Sequence, residues 1–246
     1  MIVKKLGLIG FPLGHSFSKR YFTHKFESTS LCNWSYHNYP MESVDQIREV
    51  LSANPNLVGF NVTIPHKIAI IPYLSEIDQK AKSIGAVNCV KVLSDGRLAG
   101  YNTDFTGFKV ALLDMIGSER PNAIVLGTGG ASKAVMAVLD SLEMEYTLVS
   151  RNSGANQISY DQLSDELISS SKLIINATPL GMYPKIDGIP QINYSAVGSS
   201  HFLFDLIFNP DETRFMREGR VRGAVVKNGY QMLVEQAEAW WSIINK

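Results

Sequence analysis

The chain has 246 residues, enough for one large α/β domain or two small ones with a sizeable core. Hydrophobic residues make up 45% and charged residues 19%, a soluble globular composition rather than a disordered one. Lysine plus arginine and aspartate plus glutamate number 23 each, so the basic excess usual in a nucleic-acid binder is missing. No apolar run approaches the roughly 18 residues that cross a bilayer, and the first residues lack the apolar stretch of a signal peptide. Cys32 and Cys89 stand far apart without metal-type spacing, which indicates neither a disulfide framework nor a zinc site. The expected compartment is the cytoplasm, with no membrane, nucleic acid or metal involved.

In chain order, Leu6 to Gly10 reads as a short apolar strand, followed by a Pro/Gly loop and an amphipathic stretch from Lys19 to Ser28. A second strand is expected at Trp34 to Tyr39, then a helix capped by Ser43 and running through Leu51. Leu57 to Thr63 is β-branched and aromatic and should be a strand ending at Pro65. Ala86 to Val92, the turn Ser94-Asp95-Gly96-Arg97 and Leu98 to Tyr101 read as a hairpin. Beyond these, strands are expected at Ala123 to Leu126, Tyr146 to Val149, Leu173 to Thr178 and Phe202 to Leu206, with a helix from Ala131 to Leu142. Strands alternating with helices imply parallel βαβ units. Met232 to Lys246 has helical spacing and should pack back on the first segment. The expected division is residues 1–103 plus 228–246 against residues 104–227.

Gly127-Thr128-Gly129-Gly130-Ala131 follows one predicted strand and opens a predicted helix, the context of a dinucleotide-binding turn. Glycine lets the backbone approach a pyrophosphate, and the helix N-terminus offers free N–H groups to it. The next strand ends Val149-Ser150-Arg151-Asn152, about 22 residues after Gly129, where NAD-binding units place an acidic residue. An arginine there suits a 2′-phosphate and favours NADP over NAD. A solvated surface arginine is the plain alternative.

The first segment carries polar groups where its strands should end. Ser16 and Ser18 could bind a carboxylate or merely cap a helix. Lys67 in Asn61-Val62-Thr63-Ile64-Pro65-His66-Lys67 stands just past a strand, where most lysines are only solvated. Asn88 and Asp104 supply an amide and a carboxylate at comparable places, where turn formation is the usual role.

The order of these pieces resembles the shikimate dehydrogenase family. Pro12-Leu13-Gly14-His15-Ser16-Phe17-Ser18, the Asn61–Lys67 motif, Gly85-Ala86-Val87-Asn88, Asn102-Thr103-Asp104 and the glycine turn follow one another. Asn176-Ala177-Thr178-Pro179-Leu180-Gly181-Met182, Asp205-Leu206-Ile207-Phe208-Asn209-Pro210 and Gly229 to Ala237 continue the resemblance over nearly the whole chain. It implies a two-domain α/β fold, a substrate-binding domain plus a Rossmann-type NADP domain with the active site in the cleft between. It also implies reversible NADPH-dependent reduction of 3-dehydroshikimate to shikimate, in chorismate and aromatic amino-acid biosynthesis.

Carried over by position, the resemblance assigns Ser16 and Ser18 to the substrate carboxylate. Asn61, Thr63, Asn88, Asp104 and Gln236 would bind ring hydroxyls and help orient Lys67, the acid/base, with Asp104 as its catalytic partner. Gly127, Gly129, Gly130 and Ala131 would face the pyrophosphate, and Ser150, Arg151 and Asn152 the 2′-phosphate. Met182, Leu206 and Gly229 would line the nicotinamide side, and Thr178 would also bind the cofactor. Lys19, Lys25 and Gly154 depart from common family residues, and Gly154 stands where a second basic residue often supports the 2′-phosphate.

The chemistry suits these side chains, because hydride delivery to a ring carbonyl leaves an oxygen that needs a proton, which an ammonium can supply. Two other readings stay open: an NAD-using quinate/shikimate dehydrogenase, disfavoured by Arg151, and a ligand-sensing module without turnover, disfavoured by the presence of both Lys67 and Asp104. A monomer or a homodimer would serve equally.

Overall fold

A computed structural model describes residues 3–14 and 17–246. The chain divides into two compact units, one formed by residues through Thr103 together with Ala237–Lys246, the other by Asp104–Gln236.

Unit 1 contains β1 (Lys4–Gly10), α1 (Phe17–Ser28), β2 (Trp34–Pro40), α2 (Ile47–Ala53), β3 (Leu57–Val62), β4 (Glu76–Ile77), α3 (Gln79–Ile84), β5 (Cys89–Val92) and β6 (Leu98–Tyr101). Among the described residues its sheet has the order β2-β1-β3-β5-β6-β4. The β2-β1-β3 part is parallel, and β5 runs antiparallel to both β3 and β6. Ser43 does act as an N-cap, with a complete capping box to Gln46, but of a 3₁₀ turn (Val44–Gln46) that leads into α2. The hairpin begins at Cys89 rather than Ala86; at Asn88 the backbone still bonds to Tyr101 and Val62, while its buried side chain turns to Thr103.

Unit 2 contains α4 (Asp104–Ile116), β7 (Ala123–Leu126), α5 (Gly130–Ser141), β8 (Tyr146–Ser150), β9 (Ile158–Ser159), α6 (Asp165–Ser170), β10 (Leu173–Asn176), β11 (Phe202–Asp205), α7 (Arg214–Arg220), β12 (Val225–Lys227) and most of the first half of α8 (Tyr230–Ile244). Its sheet is parallel throughout, in the order β12-β11-β10-β7-β8-β9. Counted from β7 and read from the other edge, this is the 3-2-1-4-5-6 order of a Rossmann-type fold. β7 and β10 are buried along their whole length, as a parallel sheet covered on both faces requires. Strands expected to reach Thr178 and Leu206 stop two residues and one residue earlier, at Asn176 and Asp205. In each case the strand-end side chain accepts the N–H two residues on and bends the chain away.

The second crossing between units falls inside α8, at Gln236/Ala237, nine residues beyond the expected 227/228. Packing explains the position. A Cβ on Gly107 of α4 would lie 2.3 Å from the Met232 carbonyl oxygen and 3.0 Å from Gln236, so the first turns of α8 sit tightly on α4. Later in the helix, Trp240 and Ile244 press on Gly59 of β3, where a Cβ would be 2.8 Å and 2.5 Å from them.

Candidate functional site

In unit 1 the candidate side chains form a buried hydrogen-bonded group. The Tyr36 hydroxyl on β2 donates to Asn61 Oδ1 on β3 at 2.8 Å and is also hydrogen-bonded to the Ser18 side chain on α1. Burial pushes the Tyr36 phenol well above its ordinary range, so it stays protonated and serves as a donor. Asn61 Nδ2 faces Cys89 Sγ at 3.4 Å, and the Cys89 thiol lies 3.1 Å from both Asn88 Oδ1 and Thr103 Oγ1. Asn88 donates from Nδ2 to Thr103 Oγ1 at 3.1 Å and accepts the Thr103 N–H at 2.8 Å. These amides are therefore oriented by their protein partners before any ligand arrives.

Lys67 lies in the turn after β3 and is half-buried. That turn is pinned on two sides. The Lys67 carbonyl accepts the Val87 N–H at 2.8 Å. His66 is buried, with Nε2 2.7 Å from the Met41 carbonyl oxygen, and since a carbonyl only accepts, Nε2 carries the proton. Thr63 is half-buried beside this turn and its N–H donates to the Ile9 carbonyl at 2.9 Å. Ser18, Asn61 and Asn88 are thus linked through Tyr36, Cys89 and their direct partners, while Ser16 and His15 lie outside the described residues.

In unit 2 the glycine turn sits where the strand order reverses, between β7 and β10, the usual ligand crevice of such sheets. Gly127 has φ +104°, and a Cβ there would meet Thr178 Cγ2 at 2.9 Å and the Ala177 carbonyl carbon at 3.2 Å. A Cβ at Gly129 would meet nothing within 4 Å, so the turn faces open space. Gly129 is the N-cap of α5 and, as a glycine, has no side chain to cap that helix, and Gly130 and Ala131 begin it. A backbone cradle with uncapped N–H groups on a 12-residue helix fits a dinucleotide pyrophosphate. Ser150 ends β8, followed by exposed Arg151 and Asn152. The Asn152 carbonyl is held by Gln157 Nε2 at 2.9 Å, and Gly154 and Gln157 exchange backbone bonds that close this turn.

Asp104 is the buried first residue of α4, and Gln236 is buried on α8 with Nε2 donating to the Leu233 carbonyl at 3.0 Å. Thr178 donates to Asn176 Oδ1 at 2.6 Å, Met182 is exposed, and Leu206 is half-buried. Gly229 is wedged against Leu206, since a Cβ on it would lie 2.1 Å from the Leu206 carbonyl oxygen. Among the described residues no group of three or more His, Cys, Asp or Glu could hold a metal ion, and no helix is long and apolar enough to cross a membrane.

Three participants in these networks gave no signal as site residues in sequence: Tyr36, Cys89 and Thr213. Tyr36 and Cys89 reach the site by cross-strand contacts that local pattern does not encode. Thr213 is hydrogen-bonded to Asp205 and caps α7, and its place, with Arg214 between it and the apolar pair Phe215-Met216, is an N-cap signal that could have marked it.

The family model for the shikimate dehydrogenase substrate-binding domain matches residues 8–90. A shikimate dehydrogenase (NADP(+)) of Methanococcus maripaludis is 39% identical over 257 residues, covering 98% of this chain and 91% of that protein. The chain belongs to the shikimate dehydrogenase family. Solved members share its architecture. A shikimate dehydrogenase crystallised with NADP+ superposes with a TM-score of 0.84 at 32% identity, over 99% of this chain and 91% of the other. Shikimate 5-dehydrogenase of Thermus thermophilus, solved with NADP(H) and shikimate, gives 0.86 at 28% identity, over 98% and 93%.

Proposed function

We propose that this member of the shikimate dehydrogenase family catalyses the reversible, NADPH-dependent reduction of 3-dehydroshikimate to shikimate, a step toward chorismate and the aromatic amino acids. The observation that carries this is the glycine turn at the switch point of the unit 2 sheet, followed after the next strand by Arg151 rather than by an acidic residue. Unit 2 would hold the cofactor, with the 127–131 turn at the pyrophosphate and Ser150, Arg151 and Asn152 around the 2′-phosphate. When bound, NADPH supplies a hydride. Thr178, Met182, Leu206 and Gly229 would shape the wall beside the reacting ring of the cofactor.

Most of the side chains that would hold the substrate belong to unit 1, with Asp104 and Gln236 from unit 2. Ser16 and Ser18 would take its carboxylate, and Asn61, Thr63, Asn88, Asp104 and Gln236 its hydroxyls. The prior orientation of Asn61 by Tyr36 and of Asn88 by Thr103 supports that role, because fixed amides discriminate hydroxyl positions at little ordering cost. Lys67 is the proton donor to the carbonyl oxygen during reduction and the base in reverse, with Asp104 as its catalytic partner. The pinned turn around it limits the motion of the amine.

The direct test mixes purified protein with shikimate and NADP+ and follows the absorbance of reduced nicotinamide. Turnover with shikimate, and a higher kcat/KM with NADPH than with NADH in the reverse direction, supports the reading. Preference for quinate with NAD+ replaces it with the NAD-using alternative, and tight shikimate binding without turnover replaces it with the sensing module. The same preparation in sedimentation analysis decides between the monomer and homodimer proposed for the working form in the cytoplasm.

A further inference from the structure

We propose that Asp205 is a positioning residue for hydride transfer, its buried carboxylate fastening the loops after β10 and β11 into one arrangement. The proposal rests on the reading of the protein as an NADP-dependent dehydrogenase. Asp205 is 0% exposed, so it acts through other residues rather than on the reactants. It pairs in register with Asn176 across the parallel β10–β11 ladder, which puts both side chains at the same level of the sheet.

Three donors converge on the carboxylate. Asn176 Nδ2 lies 3.1 Å from Oδ1, the Ile207 N–H 3.0 Å from Oδ1, and Thr213 Oγ1 2.5 Å from Oδ2. Each donor leads to a different stretch of chain. The Asn176 amide turned toward Asp205 leaves its Oδ1 to accept the Thr178 N–H and hydroxyl at 3.1 Å and 2.6 Å. Thr178 Oγ1 in turn accepts the Leu180 N–H at 3.2 Å. On the other side, a Cβ at Gly181 would be 3.4 Å from Thr213, and the Tyr183 N–H donates to the Asn209 carbonyl at 3.1 Å, so the two loops touch. The Ile207 carbonyl accepts the Gly229 N–H at 2.9 Å and Leu206 N–H bonds the Asn176 carbonyl at 3.0 Å. Thr178, Met182, Leu206 and Gly229, all assigned to the cofactor site, therefore hang from one carboxylate.

Ionisation matters to this arrangement, because only a carboxylate accepts all three bonds, whereas a protonated acid must turn its own O–H toward one of the donors. Burial pushes the Asp205 carboxyl up to about 6, with its three donors opposing the shift. Tyr194, whose phenol is pushed up by burial and then by Glu218 and Asp205 and eased by Arg214, is the neighbouring ionisable group that senses the Asp205 charge. It stays neutral throughout the range in which Asp205 titrates.

The test compares wild type with Asp205→Asn, which keeps shape and removes charge. The expected result at pH 8 is kcat about 10- to 100-fold lower, as for misplacement of reacting groups, with shikimate KM and NADP+ Kd little changed. The wild-type kcat profile should fall on the acid side near pH 6, and that limb should be absent in Asp205→Asn. Amide exchange of the free protein gives a readout independent of turnover. Peptides covering 177–182 and 206–213 should lose protection in the variant at pH 8. If Asp205→Asn does not fold, Thr213→Val should lower kcat similarly and Thr213→Ser should restore it. Unchanged kcat in the variants, or unchanged exchange of those two loops, overturns the proposal. A wild-type protein that oxidises no shikimate overturns the functional reading instead, and the exchange comparison still decides the role of Asp205 in holding the loops.

Discussion

The two units prepare their binding groups in opposite ways. In unit 1 the candidates are buried side chains that spend part of their hydrogen-bonding capacity on one another, as Asn61 does with Tyr36 and Asn88 with Thr103. In unit 2 the 127–131 turn presents backbone groups to open space, with a glycine in place of a capping side chain at the N-cap of α5 and a close fit of Gly127 on Ala177 and Thr178 behind it. The first arrangement discriminates by side-chain identity and is vulnerable to removal of an atom. The second recognises a repeated chemical group through the main chain and is vulnerable to an added atom or to loss of buried support.

The comparison breaks most visibly at Lys67. Lys67→Ala should lower kcat by about 10²–10⁴-fold with little change in KM for shikimate, since an acid/base group acts chiefly in the transition state. A raised KM with intact kcat would make it a binding residue. The next largest effect is thermodynamic and belongs to unit 2. The folded state holds the Asp205 proton up to about pH 6 against an ordinary value of 3.8, so its contribution to stability is greatest in acid and is lost as pH rises through about 6. The full loss is about 3 kcal/mol, nearly half of it between about pH 5 and pH 7.5. Urea unfolding of wild type at those two pH values should show that decline, and Asp205→Asn should flatten it.

Arg151→Ala tests whether unit 2 distinguishes cofactors with a side chain after all. Loss of a charge-assisted contact of about 1.5–3 kcal/mol should raise KM for NADPH about 10- to 100-fold and leave NADH kinetics unchanged. Equal effects on both would make Arg151 a surface residue. The smallest effect is expected for Tyr36→Phe, which removes a buried donor from Asn61 and should cost about 1–2 kcal/mol of stability, read as a lower Tm. It should raise KM for shikimate and leave NADP+ binding untouched, which separates the side-chain site from the backbone one.

Legibility followed the range of the interactions. β7, β10 and the Gly127 turn could be read from sequence because continuous apolar runs and a glycine break are local signals. α4 has no counterpart in the sequence reading, which gives Asp104 the role of a turn residue. It buries Asp104, Phe105, Gly107, Phe108, Ala111, Leu112 and Ile116, so it lacks the clean polar face that marks a surface helix. α7 is seven residues long and includes Gly219, which sits 2.4 Å from Leu203 if given a Cβ, a packing demand that outweighs helix propensity. At the site, Lys67, Asn61 and Asn88 stood out by position and by family resemblance. Tyr36 did not, because its role depends on β1 lying between β2 and β3, which no local pattern states.

The route of the chain has a consequence for synthesis. Trp240, fully buried in unit 1 against Gly59, is made more than 130 residues after the strands it covers. A nascent chain that has passed Thr103 still lacks this closing piece, while the segment from Asp104 to Gln236 is contiguous and can complete itself first. The unit that is synthesised earlier is therefore the one that finishes maturing last, with an apolar sheet face waiting for its lid throughout.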